Sequence, residues 1–457
     1  MKSAPESLPL LCPPGYPEII LQNEFDNRTT ATCENVEMAF LSQSCNPWKF
    51  ALYAWQNKGF LHMLEELSKP QQNVPMMFTS VCKHSLMFFR KFASLFSRSS
   101  LTSQHFLNKR HTSKCPVQVL VWHPHMMKVA VALRDSSVRV YSSNSSISPL
   151  LKHRMQSSVA DLAWQPLSSS VLAVACESCV LIWHVEPTSL AARPSSSCVQ
   201  ILQLDGHTSV TSLAWTPTGS RLVSASFMHS SIVVWDVPKE QGISLRWDMG
   251  GGVPLLACSP DGVKLFAGSL SPFFRICDMH RWKWENWSNL SGRCKAACWS
   301  PDSSVLIFAM EKDTALYAIK FASDNKNTVN SAAATSVMLA DLSEVNVSSE
   351  SGLKVCTGGE VHSIVWDGTG ERLAVLFEDN TPGSNFFVAV FKVSVYPILE
   401  LLPGGLIKGR SDETAHHIAF APNFQGGALL SVVWSSGRVG YVPLYFVPAQ
   451  RILHTHA

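Results

Sequence analysis

Short apolar stretches separated by polar turns recur along most of the chain. Val129-Ala130-Val131-Ala132-Leu133 is followed by a polar turn and Val138-Arg139-Val140-Tyr141. The same order returns as Val171-Leu172-Ala173-Val174-Ala175 before Val180-Leu181-Ile182-Trp183, and as Leu222-Val223-Ser224-Ala225-Ser226 before Ile232-Val233-Val234-Trp235-Asp236. Each stretch is too short for a helix and rich in β-branched and aromatic residues, so each reads as a strand. A further apolar stretch ending in Trp and a Pro-containing turn introduces each pair: Val121-Trp122-His123-Pro124, Leu162-Ala163-Trp164-Gln165-Pro166 and Leu213-Ala214-Trp215-Thr216-Pro217-Thr218-Gly219. The unit is therefore strand, turn, strand, polar turn, strand. A fourth strand fits in the connection, as at Val199-Gln200-Ile201-Leu202.

Weaker copies stand at Ser259-Pro260-Asp261-Gly262, Trp299-Ser300-Pro301-Asp302, Trp366-Asp367-Gly368-Thr369-Gly370 and Phe420-Ala421-Pro422, which makes seven. Most recur at about 40 to 50 residues, the length of one four-stranded propeller blade. The expected fold class is all-β, a seven-bladed β-propeller over 115–448 preceded by a short α-helical region, with a short C-terminal tail at 449–457. The Ser/Asn/Ala-rich stretch Ala322 to Ser336 reads as a surface insertion.

Before the first blade the period changes. Residues 1–45 read as an extended N-terminal arm, and 46–114 as an amphipathic helical region ending in a basic linker. Trp48, Leu52 and Trp55, and again Phe60, Leu64 and Leu67, fall at helical spacing. Asn73 can cap a second helix with Pro75 in its first turn. On that helix Phe78, Cys82, Phe89, Phe92 and Phe96 share one face, with Lys83, Arg90, Lys91 and Arg98 roughly opposite. Three readings stay open for it: docking on the propeller with a solvated basic face, binding a partner, or lying in a membrane interface. Phe89, Phe92, Phe96, Lys83, Arg90 and Lys91 are the candidate partner-binding residues.

Charge and cysteine content narrow the class. Only 16% of the 457 residues are charged, below the roughly 25% of an average soluble domain, as expected where flat strands replace charged helices. A net charge of +3 provides no field for wrapping nucleic acid, so no direct nucleic-acid partner is expected. The 13 cysteines sit singly inside apolar runs, which suits free thiols in a reducing compartment. The interrupted run Leu8 to Cys12 makes a poor secretory signal, and no apolar stretch reaches the length of a membrane span. The sequons at Asn27, Asn144, Asn286, Asn289 and Asn346 then read as chance matches.

Catalytic signatures are weak. Cys176-Glu177-Ser178-Cys179 has redox spacing but falls across a strand-to-strand turn, where strand-end cysteines are the simpler reading. His123-Pro124-His125 and His416-His417 lack a carboxylate or thiolate at metal-site spacing, so no metal or other cofactor is expected. Gly250-Gly251-Gly252 lacks the Lys-Ser/Thr of a phosphate loop. Arg281-Trp282-Lys283-Trp284 interleaves base and aromatic as single-strand binders do, yet outer-strand packing explains it as well. No acid, base and nucleophile grouping emerges, and no small-molecule substrate is implied.

The repeats resemble the WD-repeat family. The third copy is the nearest match, with Gly206-His207 opening it and Trp235-Asp236 closing it. In that family a His, a Ser/Thr, an Asp and the Trp form a hydrogen-bonded set that pins each blade. Here the set is eroded: Asp135 occupies the turn position of the first copy, but Glu177, His229 and Ser271 stand there elsewhere. Longer phrases are similar to the WD-repeat nucleoporins, among them Lys128-Val129-Ala130-Val131-Ala132-Leu133, Leu290-Ser291-Gly292-Arg293-Cys294 and Val442-Pro443-Leu444-Tyr445-Phe446-Val447. This resemblance implies a non-catalytic scaffold of the nuclear pore complex at the nuclear envelope, supporting nucleocytoplasmic transport. Its implied partners are a pore-membrane transmembrane nucleoporin and other nuclear pore proteins, with membrane association indirect, and it implies a link to spindle assembly and spindle poles in mitosis. The alternative is a WD-repeat substrate receptor of a ubiquitin ligase. Such receptors usually carry Arg two residues after a Trp-Asp pair, where this chain has Pro238.

Overall fold

A computed structural model describes residues 16, 17, 19, 115–143, 145, 147–185, 191–247, 251–288, 290–321, 336–348, 354–378, 387–395, 398–410 and 413–446. The chain divides into two compact units, Met1–Ile20 with Lys114–Ala457, and Leu21–Ser113. The second unit, with the helices expected at 46–114 and the candidate residues Lys83, Phe89, Arg90, Lys91, Phe92 and Phe96, lies outside the described residues, as does the tail.

Among the described residues of the first unit, seven antiparallel sheets of three or four strands succeed one another, with one two-stranded hairpin besides. Blade 1 is β1 (Val117–Trp122), β2 (Lys128–Leu133), β3 (Val138–Ser142) and β4 (Leu150–Leu151); blade 2 is β5 (Asp161–Trp164), β6 (Val171–Ala175), β7 (Val180–His184) and β8 (Val199–Leu202). Blade 3 comprises β9 (Val210–Trp215), β10 (Leu222–Ser226), β11 (Ser231–Asp236) and β12 (Gln241–Arg246). Blade 4 comprises β13 (Leu255–Cys258), β14 (Lys264–Gly268), β15 (Phe274–Asp278) and β16 (Lys283–Trp287). Blade 5 holds β17 (Cys294–Trp299), β18 (Val305–Met310), β19 (Ala315–Lys320) and β20 (Ser336–Asp341). A separate hairpin, β21 (Val345–Ser348) with β22 (Lys354–Thr357), precedes blade 6, which is β23 (Val361–Trp366), β24 (Arg372–Phe377), β25 (Phe387–Ser394) and β26 (Glu400–Lys408). Among the described residues blade 7 has three strands, β27 (Ala415–Ala421), β28 (Gly427–Trp434) and β29 (Val439–Tyr445). Each sequence repeat is thus one blade, and Val199–Leu202 is the fourth strand expected of it.

The second strand of a blade has neighbours on both faces, which is why it is a continuous apolar run rather than an alternating one. β2, β6, β10, β18 and β28 are buried at every position. The first strands form the inner ring: β1 lies beside β5, β5 beside β9, β9 beside β13, β13 beside β17, β17 beside β23, β23 beside β27, and β27 beside β1 again. Apolar clusters fill the gaps, each shared by two adjacent blades: Val140 and Val138 with Leu181 and Trp183 between blades 1 and 2, and Ile307 and Val305 with Val375 and Leu373 between blades 5 and 6. The core is therefore a ring of interfaces, and no blade buries its faces alone.

In blades 2, 3 and 5 the recurrent Trp rivets one blade to the one before it, while Trp366 of blade 6 donates to the Gly370 carbonyl of its own turn at 3.0 Å. The indole Nε1 of Trp164 donates to the carbonyl of Val121 at 3.2 Å, that of Trp215 to Ala163 at 3.1 Å, and that of Trp299 to Ala257 at 3.0 Å. A buried indole usually takes an acceptor, and for these three the neighbouring strand provides one at the same register. Where the ring closes, Trp122 Nε1 donates instead to Ser431 Oγ at 3.0 Å, and His417 Nε2 lies 3.0 Å from the Leu120 carbonyl. Residues near the N-terminus reach this seam as well. The Tyr16 ring stands edge-on to Trp122, with 5.9 Å between centroids, and tilts against Phe424; the Tyr441 hydroxyl donates to the Pro17 carbonyl at 2.8 Å.

The Gly-rich connection before β13 is a packing feature. A Cβ on Gly252 would fall 1.7 Å from the Phe227 carbonyl oxygen, a backbone atom that cannot swing aside. Gly252→Ala is expected to destabilise the propeller by about 3 kcal/mol, at the upper end of overpacking costs, read as a lowered urea midpoint with an unchanged slope.

Candidate interaction surface

In blade 3 the polar pin is largely assembled. His207 Nε2 lies 2.8 Å from Ser224 Oγ, which also accepts from Trp235 Nε1 at 2.8 Å. Gly206 turns the chain at φ +78, in the left-handed region, with open space where a Cβ would stand. Asp236 faces outward, bonded to Arg221 at 2.6 Å and Lys239 at 3.3 Å. The family's Asp is replaced by His229, and buried His207 Nδ1 has no hydrogen-bond partner among the described residues. Burial, reinforced by the facing His229, holds the His207 pKa down at about 4 and keeps the ring neutral.

Other blades substitute different pins. In blade 2, Trp183 Nε1 donates to Gln156 Oε1 at 3.0 Å, while Gln156 Nε2 donates to the carbonyls of Ser136 and Leu151. In blade 5, Arg293 forks onto Glu311 at 2.7 and 3.1 Å. In blade 7, Glu413 accepts from Arg438 Nη2 at 2.5 Å and Nε at 3.2 Å, and from the Ser436 hydroxyl at 2.6 Å. Burial alone would raise the Glu413 pKa; the bonds from Arg438 and Ser436 outweigh it and hold the carboxyl at about 2. A Lys295–Glu378 ion pair links blade 5 to blade 6. These charged pins were not foreseen from sequence, because their members stand outside the WD positions.

The other candidate residues are occupied structurally. His123 Nδ1 accepts from the backbone N–H groups of His125 and Met126, both at 3.1 Å, which assigns the proton to Nε2, 2.8 Å from the Ser168 carbonyl. Cys176 and Cys179 are both buried. In the Arg281–Trp284 segment, Lys283 is exposed on the outer strand β16, while Trp284 packs edge-on to Trp247 at 5.3 Å and Arg275 covers the Trp247 ring at 4.6 Å.

Apolar side chains left in water concentrate on the outer strands. Ile201 on β8, Ile243 on β12, Val337 and Met338 on β20, Leu402 on β26 and Tyr445 on β29 are all exposed, Val337 and Met338 at 61% and 60%. Blades need outer strands only to satisfy the hydrogen bonds of the third, so their far faces are free to carry side chains for other purposes. β20 and β26 are neighbours, making the rim of blades 5 and 6 the described region where such side chains come from adjacent blades. Exposed apolar clusters of this kind mark protein contacts rather than chemistry.

Comparison with known proteins agrees with the architecture. The profile of a family described as "Aladin seven-bladed propeller" matches residues 98–445. Aladin of Arabidopsis thaliana is 28% identical over 357 residues, covering 73% of this chain and 77% of that protein. Among solved structures, a chain from the crystal structure of the mitotic checkpoint complex superposes with a TM-score of 0.52 at 19% identity, covering 73% of this chain and 88% of that one. The β-propeller domain of Myceliophteria thermophila Cps50 (Swd1) gives 0.52 at 13% identity, covering 72% and 96%. At these identities the two structures share the fold with this chain.

Proposed function

Because the chain belongs to the aladin family of seven-bladed propellers, we propose that it is a non-catalytic scaffold of the nuclear pore complex that supports nucleocytoplasmic transport. The observation that carries this reading is the division of labour in the ring: its polar groups are spent on pinning blades, while its outer strands present Val337, Met338, Leu402 and Ile243 to solvent. That is how a rigid hub for protein contacts is built. Its partners in this reading are a pore-membrane transmembrane nucleoporin and other pore proteins, its tie to the membrane is indirect, and in mitosis it serves spindle assembly near the poles.

Two surfaces would share the contacts, the apolar rim and the aromatic face Phe89, Phe92 and Phe96. Replacing those three by Ser is expected to release the protein from the nuclear rim while its propeller melts as before. Val337→Asp with Met338→Asp, on exposed positions, should change stability by less than about 0.5 kcal/mol and reduce co-purification of pore proteins. Full rim signal and full co-purification in both variants would remove the support for this assignment of contacts.

A further inference from the structure

The turn between β6 and β7 holds two thiols that the scaffold reading does not use. Cys176 and Cys179 flank Glu177-Ser178, and the Cys176 N–H donates to the Cys179 carbonyl at 3.0 Å, one step beyond the paired residues Ala175 and Val180. Residues facing each other across the end of such a hairpin have Cα atoms about 5.5 Å apart, inside the range a disulfide spans. Both are free thiols. Glu177 is exposed and Ser178 half-buried, so only a short turn separates the pair from solvent.

The two sulfurs are unlike. The Cys176 Sγ lies 3.8 Å from the Val174 carbonyl and the Cys179 Sγ 4.0 Å from that of Met155; the neighbouring Cys176 side chain, with help from Ser178, whose hydroxyl lies 3.8 Å from the Cys179 sulfur, outweighs burial and draws the Cys179 pKa down to about 7. Cys176 is pushed up, by the neighbouring Cys179 and then by burial. One sulfur is thus poised as thiolate and its neighbour as thiol, the attacking and resolving roles of a dithiol.

The geometry points to Cys176 and Cys179 as a reversible oxidation site that closes to a disulfide on reaction with a hydroperoxide. The Cys179 thiolate attacks the peroxide oxygen, the O–O bond breaks, and the departing alkoxide or hydroxide takes a proton, leaving a sulfenic acid. The Cys176 sulfur then displaces hydroxide, which leaves as water with the Cys176 proton. Two thiols and one hydroperoxide yield one disulfide, one alcohol or water, and one further water. The turn is also a junction: its Glu177 N–H donates to Ser157, its Glu177 carbonyl accepts from Ser209, and its Cys176 carbonyl accepts from Val210. The disulfide would therefore lock the point where the connections on either side of blade 2 meet.

The test uses the full chain, folded, treated with hydrogen peroxide, alkylated and digested. The peptide carrying Cys176 and Cys179 is expected to escape alkylation and lose about two mass units before Cys115, Cys277 or Cys294 react, and dithiothreitol should reverse it. Cys176→Ser should leave Cys179 as a sulfenic acid trapped by dimedone, while Cys179→Ser should leave Cys176 unoxidised; unchanged melting curves establish that both variants are folded. Oxidation of the pair only after denaturation, or only together with the other buried cysteines, would overturn the proposal, as would a Cys176→Ser chain without dimedone adduct. Since none of these readouts involves the pore, failure here leaves the scaffold reading untouched, and the converse holds.

Discussion

A chain cut before Val432 is expected to lose the whole ring rather than one blade. The cut removes Val432 and Trp434 from the cluster shared with blade 6 and takes away Val442 and Leu444, which pack against it. It also strips Arg438 from Glu413 and the Tyr441 hydroxyl from Pro17. Losing roughly 300 Å² of apolar contact at about 25 cal/mol per Å² costs about 7 kcal/mol, and a buried carboxylate left without its guanidinium adds to that. Total domain stability is only about 5–15 kcal/mol. The first and sixth blades would also be left with uncovered faces, the aggregation-prone condition that closure prevents. Ending the chain after Gln450 should be tolerated, because the last described backbone bond of blade 7 runs from Phe446 N–H to Gly426. Limited proteolysis compares the two: a Val432 truncation as resistant as the full chain would contradict a ring that must close.

Acidification is expected to destabilise the propeller from about pH 6.5 downward, before its carboxylates titrate. Burial holds His207 at about 4, and holds His417 at about 4 against the opposing bond to the Leu120 carbonyl; His123 and His416 are lowered by burial too. An unfolded His titrates near 6.5, so between about pH 6.5 and 4 the unfolded chain takes up protons that the folded one refuses. Stability is then lost as pH falls, by about 1.4 kcal/mol per pH unit for each such His. Over a gap of about 2.5 units, His207 and His417 together account for about 7 kcal/mol. Glu413 adds a second loss below its unfolded value of 4.5, completed near its folded value of about 2. Urea melts at pH 7.5, 6.0 and 5.0 should show a steadily falling midpoint, with a shallower fall in a His207→Gln, His417→Gln variant. Equal midpoints over that range would show that these imidazoles are not buried in neutral form.

The blades were legible because their second strands must be apolar throughout and their turns must bend: Val129–Leu133, Val171–Ala175 and the Pro-containing turns announce themselves without any partner in view. The Trp was visible as a recurring residue, but the hydrogen bonds of Trp164, Trp215 and Trp299 to the preceding blade were not, since the acceptor is a backbone carbonyl that leaves no mark in sequence. The hairpin Val345–Ser348 with Lys354–Thr357 was hidden for a related reason, its alternation of Val with polar residues being short and set in a Ser-rich surround. The pins Arg293–Glu311 and Glu413–Arg438 join residues 18 and 25 positions apart, and nothing in either neighbourhood names the other. Pro17 is the extreme case, meeting Tyr441 across 424 positions. The apolar rim escaped notice because Val337, Met338 and Leu402 look like any other strand residues until the topology places their strands outermost.

Whether this ring serves the nuclear pore is tested most directly by imaging the full chain, fluorescently tagged and expressed at its native level, through interphase and mitosis. The account predicts a punctate nuclear rim coincident with pore markers, with signal near the spindle poles after envelope breakdown. A diffuse nucleoplasmic signal with no rim, the distribution of a ubiquitin-ligase receptor, would contradict it.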